Sequence, residues 1–221
     1  MKYLKDENIW FCDRHLLVVE KPAGITTQKA LNKNICLEDY ATIWLKNFTK
    51  KEKVFLHCVH RLDRVVSGPV IFARTSKALS RLNVMQRERK FVRKYIAIVH
   101  KEIRSEKRDT LVHYLVHDNF KARIATKDDP LAKIAELDFE IIDKNSNFSF
   151  IYIYLKTGRY HQIRAQMSAI GHPIVGDIKY GSKSPLSNNN ILLHQNYIKF
   201  PHPVGKKEEV IINSPYPFLW K

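Results

Sequence analysis

Phe148-Ser149-Phe150-Ile151-Tyr152-Ile153-Tyr154-Leu155-Lys156-Thr157-Gly158-Arg159-Tyr160-His161-Gln162-Ile163-Arg164 changes its period halfway along. In the first half, Phe148, Phe150, Tyr152 and Tyr154 share one face of an extended chain while Ile151, Ile153 and Leu155 share the other, the two-residue repeat of a strand. Thr157-Gly158 turns the chain. From about His161 the apolar positions Ile163, Met167 and Ile170 recur at three- to four-residue steps, which predicts a helix over 161–170, stopped by Gly171 with Pro173 beyond. Outward from this stretch, residues 16–19, 70–73, 95–99 and 134–142 read as further strands, rich in β-branched and aromatic side chains. A second helix follows Thr75-Ser76, a suitable N-cap, with Leu79, Leu82 and Met85 or Gln86 at helical spacing. Strands outnumber helices and do not alternate regularly with them, so the expected class is α+β on a largely antiparallel sheet.

The chain has 221 residues, 44% of them hydrophobic, which excludes an intrinsically disordered tail. No internal repeat is visible, and 7 glycines with 9 prolines leave no flexible linker. The polar stretches 101–110, 126–130 and 182–190 read as surface loops of one domain. No run approaches the ~18 apolar residues of a membrane span, and Lys5, Asp6 and Glu7 stand where a signal peptide needs its apolar run. A soluble, intracellular protein, cytoplasmic and not membrane-bound, is expected. Cys12, Cys36 and Cys58 form no C-x-x-C pair and suit a reducing compartment. His57-Cys58-Val59-His60 has metal-ligand residue types, but no second cluster completes a zinc site, so no metal is expected. Lys and Arg number 38 against 22 Asp and Glu, and the resulting +16 suits a polyanion, most simply nucleic acid.

Two segments concentrate chemistry. In His60-Arg61-Leu62-Asp63-Arg64-Val65-Val66-Ser67-Gly68 an Asp lies between two arginines at a tight turn leading into a strand. Nearby guanidinium groups favour the ionised carboxylate, available as nucleophile, base or cation stabiliser; a surface salt bridge would produce the same pattern. The second segment, 155–164, brings Arg159, His161, Gln162 and Arg164 to a helix start, where donors can gather around an anion or simply line a solvated helix face. Gly171, Gly176 and Gly181 follow in a stretch whose backbone they constrain.

HRLD-x-x-x-SG, KYIAIV, TGR-x-HQIR and G-x-PI-x-GD-x-x-YG, in this order, resemble the RluA-type RNA pseudouridine synthases, as do Glu20-Lys21-Pro22-Ala23-Gly24, Leu193-His194 and His202-Pro203. The resemblance runs from about Ile9 to Pro217. It implies a single catalytic domain over 1–221 with the pseudouridine synthase fold: a largely antiparallel mixed sheet, flanking helices and a central cleft. It implies the small form, with no separate S4-like RNA-binding domain. Asp63 matches the catalytic aspartate, Arg164 the arginine that pairs with it, and Tyr95 the active-site tyrosine beneath the target uracil. Arg61 matches an arginine that fills the gap left by the flipped base. Leu155 and Ile163 would be pocket walls, and His60, Arg159, His161 and Gln162 would contact RNA or base. The implied partner is ribosomal RNA, transfer RNA or both, bound by a monomer without a cofactor. Val66, Pro69, His100 and Gln195 depart from the family's usual residues, and Val66 lacks a hydroxyl that could brace the aspartate turn.

The implied reaction breaks C1′–N1, turns the base and forms C1′–C5. Nothing is oxidised and no group leaves for water, so neither metal nor nucleotide is required. Positive charge developing on the sugar is what a carboxylate can stabilise or trap, as in glycoside hydrolysis. A glycosidase would need a second catalytic carboxylate, and a kinase would need DFG and a glycine-rich loop; neither set is present in these motifs. A non-catalytic RNA-binding or ribosome-assembly protein on this scaffold could lose the Asp, and this chain keeps Asp63, Tyr95 and Arg164.

Overall fold

The computed structural model describes residues 4–29, 35–104, 108–186, 189–205 and 208–217. In chain order its elements are β1 (Ile9–Cys12), β2 (Leu16–Lys21), α1 (Leu37–Thr49), β3 (His57–Cys58), β4 (Gly68–Ala73), α2 (Ser76–Arg87), β5 (Val92–His100), β6 (Arg108–Asp118), β7 (Lys121–Ala125), β8 (Lys133–Lys144), β9 (Phe148–Leu155), α3 (Gln162–Ala169), β10 (Leu193–Pro201) and β11 (Glu209–Asn213). They form two compact units, Met1–Phe91 with Asn196–Pro215 and Val92–Gln195 with Tyr216–Lys221. No helix among the described residues is long and apolar enough to cross a membrane.

The first unit holds the sheet β1-β2-β4-β3, antiparallel throughout. β2 and β4 pair from Leu16↔Ala73 to Lys21↔Gly68. Leu16–Val19 and Val70–Ala73 are fully buried, which is why these strands read as continuous apolar runs rather than as alternations. Pro69 fits because β3 meets β4 only at Phe72 and Ala73, leaving the start of β4 paired through β2. The core joins Leu16, Val18, Ile71 and Ala73 to Ala78 and Leu82 of α2, and to Ile198, Phe200, Val210 and Ile212 of the β10–β11 hairpin. α2 begins as the sequence suggests, with Thr75 Oγ1 accepting the Ala78 N–H at 3.1 Å. α1 has no counterpart in the sequence reading. Its buried stripe is only Leu37, Ala41 and Leu45, with Ile43 and Phe48 turned outward, so the apolar periodicity is blurred.

The second unit carries β5-β9-β8-β6-β7, again antiparallel. Ile153 of β9 lies between Tyr95 of β5 and Phe139 of β8, making the Ile151/Ile153 side of β9 the buried one. The polar stretch 101–110, read as a loop, already enters β6 at Arg108. Arg108 Nη2 and Thr110 Oγ1 both bond the Asp138 carboxylate across the ladder (2.6 and 2.8 Å), so the strand starts on polar cross-strand contacts. Residues 105–107 of that stretch, and 187–188 of the stretch 182–190, lie outside the described residues. α3 agrees with the predicted helix, but Gln162–Met167 are all buried, where the pattern allowed a wet face. Gln166 explains part of this: its Nε2 donates to the carbonyls of Leu111 and Ala135, both at 3.2 Å.

Candidate active site

In the first unit, half-buried Asp63 sits between exposed Arg61 and Arg64. The Val66 N–H donates to the Asp63 carbonyl at 3.1 Å and closes the turn. On one side of Asp63, the Leu62 N–H donates to Thr27 Oγ1 (3.1 Å), while the Thr27 hydroxyl donates to the Leu62 carbonyl (3.0 Å). On the other side, the Arg64 carbonyl accepts from the Gly24 N–H (2.7 Å) and from Lys21 Nζ (3.2 Å). Gly24, at φ +100°, adopts a conformation few other residues tolerate. Lys21 is fully buried, and its Nζ also donates to the carbonyls of Pro22 and Ile25, both at 2.9 Å. Three carbonyls match the three N–H donors of an ammonium. Burial pushes the Lys21 pKa down to about 7, against the pull of the Asp63 and Glu20 carboxylates. His60 is also turned inward, its Nε2 accepting the Ile71 N–H at 3.2 Å. The bracing that Val66 cannot give with a hydroxyl therefore comes from Lys21, Gly24 and Thr27.

In the second unit, the buried Tyr95 donates its hydroxyl proton to Gln195 Oε1 at 2.8 Å. Arg164 forms a two-point ion pair with Asp177, Nε to Oδ2 at 2.7 Å and Nη2 to Oδ1 at 2.8 Å, and both residues are buried. The Arg164 guanidinium carbon lies 4.9 Å from the centre of the Tyr180 ring. The Tyr180 hydroxyl accepts the Ala122 N–H (2.7 Å) and shares a hydrogen bond with His161 Nδ1 at 2.9 Å. Burial first, then Arg164 and Lys179, push the His161 pKa down to about 3, leaving a neutral imidazole. His161 caps α3 with a left-handed backbone, φ 49°. Gln162 ties the preceding turn together: Oε1 accepts from the Thr157 hydroxyl (2.8 Å) and the Arg159 N–H (2.9 Å), and Nε2 donates to the Glu136 carbonyl (3.1 Å). Arg159 Nε donates to the Ile134 carbonyl at 2.9 Å. Ile163 is buried and Leu155, at the end of β9, half-buried.

Asp63, His60 and Arg61 thus belong to the first unit, and Tyr95, Leu155, Arg159, His161, Gln162, Ile163 and Arg164 to the second. The donors expected to gather about an anion at the start of α3 bond acceptors of the protein itself: the Asp177 carboxylate and the carbonyls of Glu136 and Ile134. Sequence reasoning missed Asp177 as an Arg164 partner, Lys21 and Thr27 as braces, and Gln195 as a tether on Tyr95. The available signals were motif positions: Lys21 and Gly24 stand in Glu20-Lys21-Pro22-Ala23-Gly24, and Asp177 is the Asp of G-x-PI-x-GD-x-x-YG. Among the described residues no group of three or more His, Cys, Asp or Glu could hold a metal ion.

Residues 15–169 match the family model described as RNA pseudouridylate synthase. Ribosomal large subunit pseudouridine synthase C of Buchnera aphidicola (Baizongia pistaciae strain) is 31% identical over 96% of this chain and 68% of its own length. An uncharacterised RNA pseudouridine synthase of Bacillus subtilis is 31% identical over 95% of this chain and 68% of its own. The chain spans about two thirds of the length of the curated relatives it matches. Among solved structures, human RNA pseudouridylate synthase domain containing 4 aligns with a TM-score of 0.81 and 21% identity, over 97% of this chain and 90% of that one. That likeness carries the fold: α+β, of the pseudouridine synthase type.

Proposed function

The chain belongs to the RNA pseudouridylate synthase family, and on that premise we propose that it isomerises specific uridines of structured RNA, ribosomal, transfer or both, to pseudouridine. Asp63 is the catalytic carboxylate and acts on a base turned out of its stack, an extrusion that costs a few kcal/mol. The observation that carries this reading is the clamp on Asp63. Both neighbouring peptides are hydrogen-bonded, through Thr27 and through Gly24 and Lys21, so the carboxylate is offered from an immobilised backbone.

As C1′–N1 breaks, the Asp63 carboxylate faces the electron-poor sugar; the freed uracil turns and C5 bonds C1′; C5 then loses its proton while N1, released from the sugar, takes one up, so the product keeps the same atoms and charge. Arg164 is the arginine of the same catalytic set. Asp177 takes two of its five N–H donors and fixes the plane of the guanidinium. Tyr95 supports the uracil and moves a proton. Exposed Arg61 fills the space left by the base, with Leu155 and Ile163 as apolar walls. His60, Arg159, His161 and Gln162 hold the two RNA-facing turns in shape. The protein works as a cytoplasmic monomer with RNA as its partner and without a cofactor.

The test is Asp63→Asn. It keeps the shape and removes the charge, so pseudouridine formation in ribosomal and transfer RNA transcripts should vanish while RNA affinity stays near wild type. Substantial product from this variant by mass spectrometry would remove Asp63 from the chemistry. Absence of product from the wild type on every transcript, with RNA binding retained, would leave a binding protein instead.

A further inference from the structure

Phe120 is 69% exposed, among the most exposed of the large apolar side chains. It forms, with Asn119, the two-residue turn between β6 and β7, closed by the pair Asp118↔Lys121. Both turn residues are left-handed, φ 35° at Asn119 and 59° at Phe120. Hairpin turns of this kind favour Asn-Gly, and a bulky ring at the second position is unfavourable. Two donors from outside the hairpin hold this peptide in place: Lys179 Nζ at 2.8 Å and the Tyr160 hydroxyl at 3.4 Å, both on the Phe120 carbonyl. The Tyr160 ring, itself 37% exposed, lies between His117 (ring centroids 4.1 Å) and His161 (3.9 Å, stacked). Lys121 and Lys179 flank the tip, both exposed.

A fold that needed only a turn here would be better served by glycine. The position instead displays a flat apolar face whose peptide is held by the Lys179 ammonium, while the Lys121 ammonium stands 5.2 Å from the centre of the nearby Tyr180 ring. A nucleobase with its phosphate offers the matching surfaces, a π-face and an adjacent negative charge. We propose that the β6–β7 tip is an RNA-contact site: Phe120 stacks on an unpaired base of the substrate while Lys121 and Lys179 meet neighbouring phosphates. This site rests on the RNA-modifying reading above and adds a grip separate from the Asp63 turn. Because single-stranded loops expose base faces and duplexes hide them, the grip discriminates loop from stem.

The experiment uses the full chain with two labelled probes, an RNA stem–loop with uridines in its loop and a blunt RNA duplex of the same stem. Phe120→Gly suits the left-handed turn, so its thermal midpoint should equal or exceed that of the wild type. Its Kd for the stem–loop should rise about fivefold or more, with duplex affinity and the salt dependence unchanged. Phe120→Trp should bind the stem–loop as the wild type does. The proposal is overturned if Phe120→Gly binds the stem–loop normally, if it loses the duplex equally, or if Phe120→Trp is as weak as Phe120→Gly. Pseudouridine formation by the wild type, scored in parallel on ribosomal and transfer RNA transcripts, separates the two readings. Ring-dependent binding without product sinks the activity alone, and product with ring-independent binding sinks the tip site alone.

Discussion

The Tyr95 hydroxyl donates its one proton to Gln195 Oε1, which holds the phenol in a fixed orientation. Tyr95→Phe keeps the ring and removes the hydroxyl: single-turnover rates should fall by ~10²-fold or more while RNA affinity stays normal. Rates near wild type would reduce Tyr95 to a stacking floor. Arg164 and Asp177 make a second case. Asp177→Asn removes the two-point carboxylate anchor of a buried guanidinium, which should cost about 3 kcal/mol in denaturant unfolding and lower turnover as well. Adding Arg164→Met should recover part of the stability, because the poorly anchored charge is gone, but none of the turnover. Recovery of both would mean that the pair serves the fold alone.

Among the elements, the segment joining β2 to α1 shapes Asp63 without touching the chemistry. Thr27→Val deletes both hydrogen bonds to Leu62, so kcat should drop with RNA affinity unchanged; a matching loss of affinity would make the clamp a general folding contact. β2 also carries Glu20, whose Oε2 accepts from Trp10 Nε1 (2.7 Å) and from the Ser214 hydroxyl (2.9 Å). Burial pushes the Glu20 pKa from 4.5 up to about 7, against these two bonds. A folded pKa above the unfolded one means that Glu20's stabilising contribution is full below pH 4.5 and lost as pH rises through 7. Glu20→Gln keeps an acceptor for both donors and cannot ionise. It should match the wild type near pH 4 and be about 1–3 kcal/mol more stable at pH 8; equal stability at both would place the carboxylate in contact with solvent. β2, β4, β5, β8, β9, α2 and α3 were legible because their periodicity or continuous apolar character is local. α1 was not, since outward Ile43 and Phe48 hide a narrow stripe; β1, β3, β6, β7, β10 and β11 had no counterpart in the sequence reading either, and the start of β6 was masked by its polar residues. In the same way Asp63 could be named from its motif, while its braces join residues far apart in the chain, Lys21 to Arg64 and Thr27 to Leu62, and leave no periodic trace.

For the molecule as a whole, the surplus of +16 should make the proposed RNA binding strongly salt-dependent. Affinity should fall linearly with salt on a log–log plot, by about 0.7–0.9 per phosphate neutralised. Turnover should survive EDTA apart from effects on RNA folding, because the isomerisation needs no Lewis acid; a stoichiometric metal lost together with activity would overturn that. The burial of Lys21 also makes the chain's amines unequal. An acylating reagent reaches a lysine only when its nitrogen is uncovered and unprotonated, and Lys21 is covered on every side, with its three N–H groups directed at carbonyls. Under native conditions mass spectrometry should find its neighbours modified within minutes and Lys21 protected. Its slow labelling rate would then count how often the loop that carries Asp63 comes open.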